Sequence, residues 1–456
     1  MRPDPTEFYS TNQKAPPCSL REALLEGQAP DRGLYMPRAY QPFTQADLLE
    51  LVDRSYPEIA FALLRRFTAG VLDDSRLMDA CKDAYGYEVP LQHVEGRRFV
   101  MRLDQGPTAS FKDFAARMMA RWMGLLLEKD SSELVILTAT SGDTGSAVAH
   151  AYHGVPRVRV VVLFPVDEVS NRQRKQMTTL GGNVTTIAVK GKFDDCQAMV
   201  KRAFADPDLE HIRLTSANSI NIGRLLPQAV YYAYAYVRLG DVQKNEPILF
   251  SVPSGNFGDM MGAVIATRMG VPIQRLVIAT NANDEVPSYL KTGEYAKIVP
   301  SRVCISNAMN VGHPSNLARL VDAYGGAMDE TGHVSRPADM DRMRRDLYAV
   351  SISDEETRAT IRSAWQNDGL LLEPHGAVGW AGLGRYLAEQ RVKPTALAVS
   401  IETAHPAKFP EEIKALLGLD PPLPPSLQGI EEKQEQFGRL DVDYDAFKQL
   451  LRKSFG

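Results

Sequence analysis

One pattern recurs along the middle of the chain and limits its fold: a short run of branched apolar residues, a turn of small residues, then a helical stretch. One instance passes from residues 134–140 into the turn Ser141–Gly145, and another from residues 247–252 into the turn 253–258. Strands that alternate with helices form parallel sheets covered by helices, and ligands bind at the carboxyl ends of the strands. The sequence therefore predicts an α/β fold whose turns line a site.

Composition and charge narrow the class of partner. The 456 residues include 52 basic and 56 acidic side chains, for a net charge of −4, which gives no overall basic field for nucleic acid or an anionic membrane surface. The longest apolar stretch, Leu225–Val237, is shorter than the about 20 residues that span a bilayer. The first residues lack the apolar core of a secretory signal. We therefore expect a cytoplasmic protein with small-molecule partners.

Lys112 is a candidate nucleophile. Ser110 and Asp113 have the spacing of a capping box, and apolar residues follow with helical periodicity, so Lys112 is predicted in the first helical turn. The helix dipole places about +0.5 charge there, and apolar neighbours disfavour an ammonium, so both effects lower the lysine pKa. The alternative is a lysine that reaches back into solvent.

Two glycine-containing turns are candidate anion sites. In Ser141–Gly145 and Gly255–Gly258, glycines allow close approach of the backbone, and the following helix starts supply free N–H groups. Neither turn matches a nucleotide-binding phosphate loop or a dinucleotide fingerprint. Glycines in such turns also occur for purely conformational reasons. Together with a candidate amine nucleophile, the turns favour a phosphorylated carbonyl cofactor and a carboxylate substrate.

Two further segments carry polar candidates. In residues 216–227, Asn218 and Asn221 supply amide donors and Arg224 supplies a planar cation, a set suited to a second phosphate or a carboxylate. The alternative for this segment is a helix start capped by asparagine with an exposed arginine. Thr403 follows the predicted strand 396–401 and could offer a hydroxyl to a ring nitrogen.

These residues occur in motifs that resemble the threonine synthase family of the longer bacterial and fungal type, in the family's order from about residue 8 to residue 420. The similar segments are Tyr9–Thr11, Gly33–Pro37, Ser110–Asp113, Thr140–Gly145, Ser254–Asp259, Glu373–Gly379 and Glu402–Phe409. Each motif alone is weak, but their joint occurrence is specific. The resemblance implies a tryptophan-synthase-β-like, fold-type II enzyme that depends on pyridoxal 5'-phosphate.

The resemblance also implies an activity, a carbon–oxygen lyase reaction of threonine biosynthesis. Members of this family convert O-phospho-L-homoserine and water into L-threonine and phosphate by γ-elimination and β-addition of water. By resemblance, Lys112 forms the Schiff base with the cofactor and removes the substrate Cα proton, and Thr403 faces the pyridine nitrogen. The segment that would hold the cofactor phosphate consists of Gly255, Asn256, Phe257, Gly258 and Asp259.

The same resemblance places the substrate. Ser141 and Thr144 would bind its carboxylate, and Asn218 and Arg224 its phosphate. Asp143 is a candidate contact to the cofactor, but an aspartate beside a phenolate is repelled unless it is protonated, so it has either a raised pKa or another direction.

Three more side chains of interest lie in these motifs. We expect His375 and His405 to serve packing or orientation. Lys408 is the rival candidate for the Schiff base, but it lacks the helix-start context of Lys112, so we expect it to face an anion or to be structural.

For the domains, the expected fold is two parallel or mixed sheet domains with a mainly helical N-terminal layer. The predicted boundaries are an N-terminal domain at 1–95, a large cofactor domain at 96–128 and 235–420, a small mobile substrate domain at 129–234, and a peripheral tail with helical pieces at 421–456.

Two other functions stay open. A phospholyase on the same scaffold would release 2-oxobutyrate, and a catalytically silent chain could sense phosphorylated amino acids. We expect no metal and either a monomer or a homodimer.

Overall fold

The structure, a computed structural model, describes residues 6–390, 392–393 and 395–456. Its strands are β1 (Phe8–Ser10), β2 (Tyr35–Pro37), β3 (Leu91–Glu95), β4 (Arg98–Arg102), β5 (Leu134–Ala139), β6 (Val158–Pro165), β7 (Val184–Lys190), β8 (Leu214–Ser216), β9 (Ile248–Pro253), β10 (Ile273–Thr280), β11 (Ala327–Met328), β12 (Val334–Arg336), β13 (Leu347–Ser351), β14 (Leu397–Glu402) and β15 (Gly438–Asp441).

The helices lie between and around these strands. They are α1 (Leu20–Glu26), α2 (Gln45–Glu50), α3 (Tyr56–Thr68), α4 (Asp74–Ala84), α5 (Lys112–Leu127), α6 (Asp143–Tyr152), α7 (Asn171–Thr178), α8 (Phe193–Phe204), α9 (Ala229–Leu239), α10 (Gly258–Arg268), α11 (Glu285–Thr292), α12 (Leu317–Ala323), α13 (Met340–Asp346), α14 (Asp354–Asp368), α15 (Pro374–Glu389), α16 (Pro410–Leu417) and α17 (Tyr444–Phe455). Among the described residues, no helix has the length and apolar character needed to cross a membrane.

The larger sheet has the strand order β13-β10-β9-β14-β4-β3. All its neighbouring strands are parallel except β3, which pairs antiparallel to β4 at the edge. All residues of β9 and β14 are buried, as expected for central strands with helices on both faces. The carboxyl ends of β9 and β14 therefore lie side by side, and the turns after both strands open at the same edge.

The smaller sheet has the order β15-β7-β6-β5-β8, with all pairs parallel. Its outer strand β15 comes from the C-terminal segment, and α17 buries Tyr444, Phe447 and Leu451 in the core beneath this sheet. The sequence interpretation of this segment as a peripheral tail missed the strand. The reason is that three of the four residues of β15 are exposed, so no apolar alternation marks it.

The N-terminal layer is mainly helical, as expected. Helices α1 to α4 carry capping residues at their starts, and β1 pairs antiparallel with β2, which follows α1 in the chain. In α3, Ile59, Leu63 and Phe67 recur with helical spacing and are buried in one core together with residues of α9 and α10. The layer is therefore packed directly on the larger sheet unit.

Candidate active site

The two sheets meet at the carboxyl ends of β5 and β14. Lys112 begins α5, Asp143 begins α6 directly after β5, and Lys408 follows β14. The Lys112 Nζ lies 3.8 Å from Asp143 Oδ2, and the Lys408 Nζ lies 2.6 Å from Asp143 Oδ1. These three charged groups join segments that are far apart in the sequence, and they mark the centre of the candidate site.

Lys112 is the first residue of α5, as the sequence predicts, but the predicted capping box is wrong. Phe111 occupies the cap position without a side-chain hydrogen bond, and the hydroxyl of Ser110 is buried without a partner. Asp113 turns back instead and accepts hydrogen bonds from the N–H and the hydroxyl of Thr108, at 2.8 and 2.6 Å. The carboxylate of Asp113 therefore binds Thr108 in the buried loop before the helix and does not form the predicted capping box.

The surroundings of Lys112 favour a neutral amine. Its side chain is only 14% exposed, and its Nζ lies 4.8 Å from the centre of the Phe111 ring. Burial lowers the pKa of this lysine; the carboxylate of Asp143 acts in the opposite direction, and the cations Lys408 and Arg224 lower it further. The net pKa lies below the ordinary lysine value, as the sequence argument expects.

Asp143 does not have a raised pKa. Burial opposes its ionisation, but Lys408 and Lys112 outweigh this effect and hold the pKa of the carboxyl below its usual range. Its Oδ1 accepts from Lys408 and also from Gln173 Nε2 at 2.8 Å. Of the two alternatives for Asp143, a raised pKa or another direction, the structure thus supports the second, a carboxylate that is directed at a cation.

The loop after β5 is held by Thr140, a residue outside the sequence-based candidates. Its hydroxyl oxygen accepts from the N–H groups of Gly142 and Gly145, at 2.9 and 2.8 Å. Gly142 has φ of 136°, a conformation open mainly to glycine. Ser141 and Thr144 are both half-buried on this loop, beside the charged cluster.

The loop after β9 contains Gly255, Asn256, Phe257 and Gly258. A Cβ at Gly255 would lie 2.9 Å from the Ala308 carbonyl oxygen, so only glycine fits there. Phe257 has φ of 62°, in the left-handed region, directly before α10. The left-handed conformation of Phe257 directs the chain from the loop into α10, and the first N–H groups of α10 are free to bind an anion.

Asp259 directs its carboxylate away from this loop. The hydroxyls of Tyr231 and Tyr232 donate to its Oδ1, at 2.5 and 2.6 Å, and its Oδ2 is buried with no hydrogen-bond partner in the part of the chain that the structure describes. Burial raises the pKa of Asp259 to about 6, although both tyrosines act to lower it. Only the main chain of Asp259 is therefore available to an anion at the start of α10.

Arg319, on α12, is a buried cation behind the same loop that sequence reasoning missed. Its guanidinium donates to the carbonyl oxygens of Tyr35, Ser219 and Ile220, and to Asn316 Oδ1 at 2.6 Å. Asn316 Nδ2 in turn donates to the carbonyl oxygen of Asn256 at 2.8 Å. Burial lowers the pKa of Arg319 to about 9. No local pattern marks this arginine, since it stands in an ordinary helical stretch.

Arg224 is buried, not exposed as the structural alternative for its segment requires. Its Nη1 donates to the Ala217 carbonyl oxygen at 2.6 Å, its Nε has no partner among the described residues, and burial lowers its pKa to about 10. Asn218 donates to the Ala139 carbonyl oxygen at 3.3 Å and leaves its Oδ1 without a partner. Asn221, by contrast, is a capping residue whose side chain accepts from Gly223 N.

Thr403 lies at the end of β14 against a buried pair of side chains. Its hydroxyl donates to Glu373 Oε1 at 3.3 Å, and Glu373 Oε2 lies 2.5 Å from His375 Nδ1. His375 Nε2 accepts from the Ala308 N–H at 3.0 Å, so the ring proton is on Nδ1. His405 Nδ1 accepts from the Ala407 N–H and caps the turn before α16. Both histidines therefore hold backbone segments around the site.

Comparisons with known proteins agree along nearly the whole chain. Residues 88–403 match the family described as pyridoxal-phosphate dependent enzyme, residues 7–85 match the threonine synthase N terminus, and residues 376–451 match the threonine synthase C-terminal family. The first family alone covers more than half of the chain.

Individual relatives cover the full length. A threonine synthase of Haemophilus influenzae is 37% identical over 449 residues, which are 98% of this chain and 100% of the relative. The crystal structure of pyridoxal-phosphate-bound threonine synthase from Brucella melitensis is 35% identical with a TM-score of 0.90, and covers 99% of each chain. Yeast threonine synthase is 29% identical with a TM-score of 0.89, and 98% of each chain is covered.

These matches confirm the expected α/β fold of two sheets of the fold-type II kind, and pyridoxal phosphate as the cofactor class. This chain belongs to the threonine synthase family of pyridoxal-phosphate-dependent enzymes.

Proposed function

We propose that this chain converts O-phospho-L-homoserine and water into L-threonine and phosphate at the cluster around Lys112. The observation that carries this assignment is a buried lysine beside the carboxylate of Asp143; burial lowers the pKa of this lysine, and the nearby buried cation Arg224 lowers it further. A neutral amine is the form that reacts with a carbonyl group, and a buried cation nearby suits a phosphorylated substrate.

The residues present fit pyridoxal phosphate. Lys112 would hold its aldehyde carbon, the loop Gly255–Gly258 with the N–H of Asp259 would hold its phosphate, and Thr403 would face its ring nitrogen. Arg319 supports this assignment, because its guanidinium donates hydrogen bonds only to carbonyl oxygens among the described residues and places a buried positive charge behind the loop. When bound, the cofactor supplies an electron-withdrawing ring that stabilises negative charge on the substrate carbons.

Lys112 then moves protons at the substrate. Its neutral amine accepts the proton from Cα, and burial keeps the amine in the basic form that this transfer requires. Arg224 and Asn218 hold the substrate phosphate. The Arg224 Nη1 is fixed by the Ala217 carbonyl oxygen while its Nε has no protein partner, so the guanidinium presents a pre-oriented donor.

Ser141 and Thr144 would bind the substrate carboxylate on the loop that Thr140 holds in shape. The hydroxyl of Thr403 is oriented by Glu373, whose Oε1 accepts its hydrogen bond. Asp143 acts in the site through its negative charge on the two neighbouring lysines.

The mobility of residues 129–234, the monomeric or homodimeric state, the domain boundaries and the cytoplasmic location stay predictions.

The test is a product assay with O-phospho-L-homoserine. We expect equal amounts of L-threonine and phosphate from the wild type, and a loss of activity by a factor of about 10³ or more in Lys112→Ala. Arg224→Ala is the matched variant: it should raise KM about tenfold and leave the cofactor absorbance unchanged. Release of 2-oxobutyrate without threonine would identify a phospholyase instead. No turnover, together with no bound cofactor, would favour a sensor.

A further inference from the structure

The carboxylate of Asp143 lies between two buried lysines at unequal distances. Its Oδ1 is 2.6 Å from the Lys408 Nζ, whereas its Oδ2 is 3.8 Å from the Lys112 Nζ, beyond hydrogen-bond distance. Gln173 Nε2 also donates to Oδ1, at 2.8 Å. The contacts of Oδ1 with Lys408 and Gln173 therefore hold the carboxylate on the side away from Lys112.

Lys408 is placed for this contact by a rigid environment. Its side chain is fully buried, and its Nζ donates a second hydrogen bond to the Thr108 carbonyl oxygen at 2.8 Å. Thr108 belongs to the loop that leads into Lys112, and its hydroxyl and N–H are fixed by Asp113. The ammonium of Lys408 thus joins three segments: the turn after β14, the start of α6, and the loop before α5.

We propose that Lys408 is a positioning residue for the amine of Lys112: it binds the Asp143 carboxylate, compensates its charge, and prevents a close Asp143–Lys112 ion pair. The inference rests on the proposed role of Lys112. Without the ammonium of Lys408, the nearest cation to Asp143 is Lys112 itself, and a lysine that pairs closely with a carboxylate is kept as an ammonium.

The other charged groups around Lys112 do not replace this effect. Besides Asp143 and Lys408, the groups that face it are Arg224, Glu373 and Asp259. Burial lowers the pKa of Lys112 most, Asp143 and Glu373 raise it, and Lys408 and Arg224 lower it. Removal of the Lys408 charge therefore leaves a carboxylate at 3.8 Å with one cation fewer to oppose it.

The experiment measures the ionisation of Lys112 directly. The full-length chain, freed of cofactor, is acetylated with trace reagent across neutral to alkaline pH, and the modification of Lys112 is quantified by mass spectrometry. In Lys408→Met, we expect the midpoint of Lys112 reactivity to rise by at least about one pH unit. Lys408→Arg keeps the charge and should leave the midpoint near that of the wild type. Lys129→Met, at an exposed position just after the end of α5, is the matched control.

A double variant separates charge from packing. Asp143→Asn in the Lys408→Met background should return the midpoint to within about half a unit of the wild type, because both charges are then absent. A purely structural lysine would not be rescued in this way. An unchanged midpoint in Lys408→Met, or no return in the double variant, would overturn the proposal.

One further outcome is decisive. If Lys408→Met does not fold, Asp143→Asn alone must lower the midpoint of Lys112 reactivity, because the carboxylate of Asp143 raises the pKa of Lys112. An unchanged midpoint in Asp143→Asn would overturn the inference. The assay uses no substrate, so a failure of the proposed threonine synthase activity appears only in the product assay and is distinguishable from a failure of this inference.

Discussion

Two strand–turn–helix junctions in this protein look alike in sequence and differ in charge. Each has a glycine-containing turn after a buried parallel strand, and each places an aspartate in the first turn of the next helix: Asp143 on α6 and Asp259 on α10. Both carboxyl groups are buried. The pKa of Asp143 is nevertheless held below its usual range, while the pKa of Asp259 is raised to about 6.

The difference comes from the groups opposite each aspartate. Burial raises the pKa in both cases, but Asp143 faces the ammonium of Lys408, whereas Asp259 faces the hydroxyls of Tyr231 and Tyr232. A cation stabilises a buried carboxylate far more than neutral donors do. The comparison teaches that the function of such a turn depends on partners from distant segments more than on its own residues.

The largest effect is expected where the charge pair is broken. Asp143→Ala leaves the fully buried ammonium of Lys408 without its carboxylate, so we expect the free energy of unfolding to fall by about 3–5 kcal/mol. Denaturant unfolding of the wild type and the variant measures this change. Asp143→Asn keeps an acceptor for Lys408 and should lose less. An equal loss in both variants would show that the hydrogen-bond acceptor for Lys408 contributes nothing beyond the charge of Asp143, contrary to this expectation.

A change in pH should affect the two junctions in opposite directions. The pKa of Asp259 is about 6 in the folded chain and about 3.9 when unfolded. Ionised Asp259 therefore destabilises the folded state above pH 6, and this destabilisation disappears as the pH falls towards 4. Asp259→Asn should therefore be more stable than the wild type by up to about 3 kcal/mol above pH 6, and by less near pH 4.

Asp143 is the internal contrast to that prediction. Its folded pKa is depressed, so its stabilising contribution is present above about pH 3.9 and is lost as the pH falls through the lower folded value. Asp143→Asn should thus be less stable than the wild type at neutral pH, with a smaller difference in acid. The measurement is chemical unfolding of both variants at a series of pH values, and parallel profiles would refute the opposite ionisation of the two groups.

Much of the fold follows from sequence patterns because those patterns are local. The buried strands β5 and β9 are mostly apolar runs, and glycine turns and helix starts follow them, so their order and class could be predicted. Lys112 at the first turn of α5 was predicted for the same reason. Strand β15 was missed because its residues are mostly exposed and carry no alternation.

The site was only partly predictable, because its electrostatics depend on long-range contacts. Asp113 looks like a capping residue in sequence, yet Thr108 binds it. The pairing of Asp143 with Lys408 joins two separate sheets, and no spacing in the sequence reveals it. Arg319 gives no signal at all, since a buried cation that binds carbonyl oxygens has the same local sequence as an exposed helical arginine.

The smallest effect tests the cation of the second junction. Lys408 binds a carboxylate, but the described partners of Arg319 are carbonyl oxygens, and so its charge is left for an anion at the loop Gly255–Gly258. We expect Arg319→Met to weaken the binding of pyridoxal phosphate about tenfold, or about 1.4 kcal/mol, in an absorbance titration. Pyridoxal, which lacks the phosphate, should bind the variant and the wild type equally. An equal loss of affinity for both compounds would mean that Arg319 acts only through the shape of the loop. A loss confined to the phosphorylated compound would show that the two junctions use their buried cations differently: Lys408 binds a side chain, and Arg319 attracts a ligand.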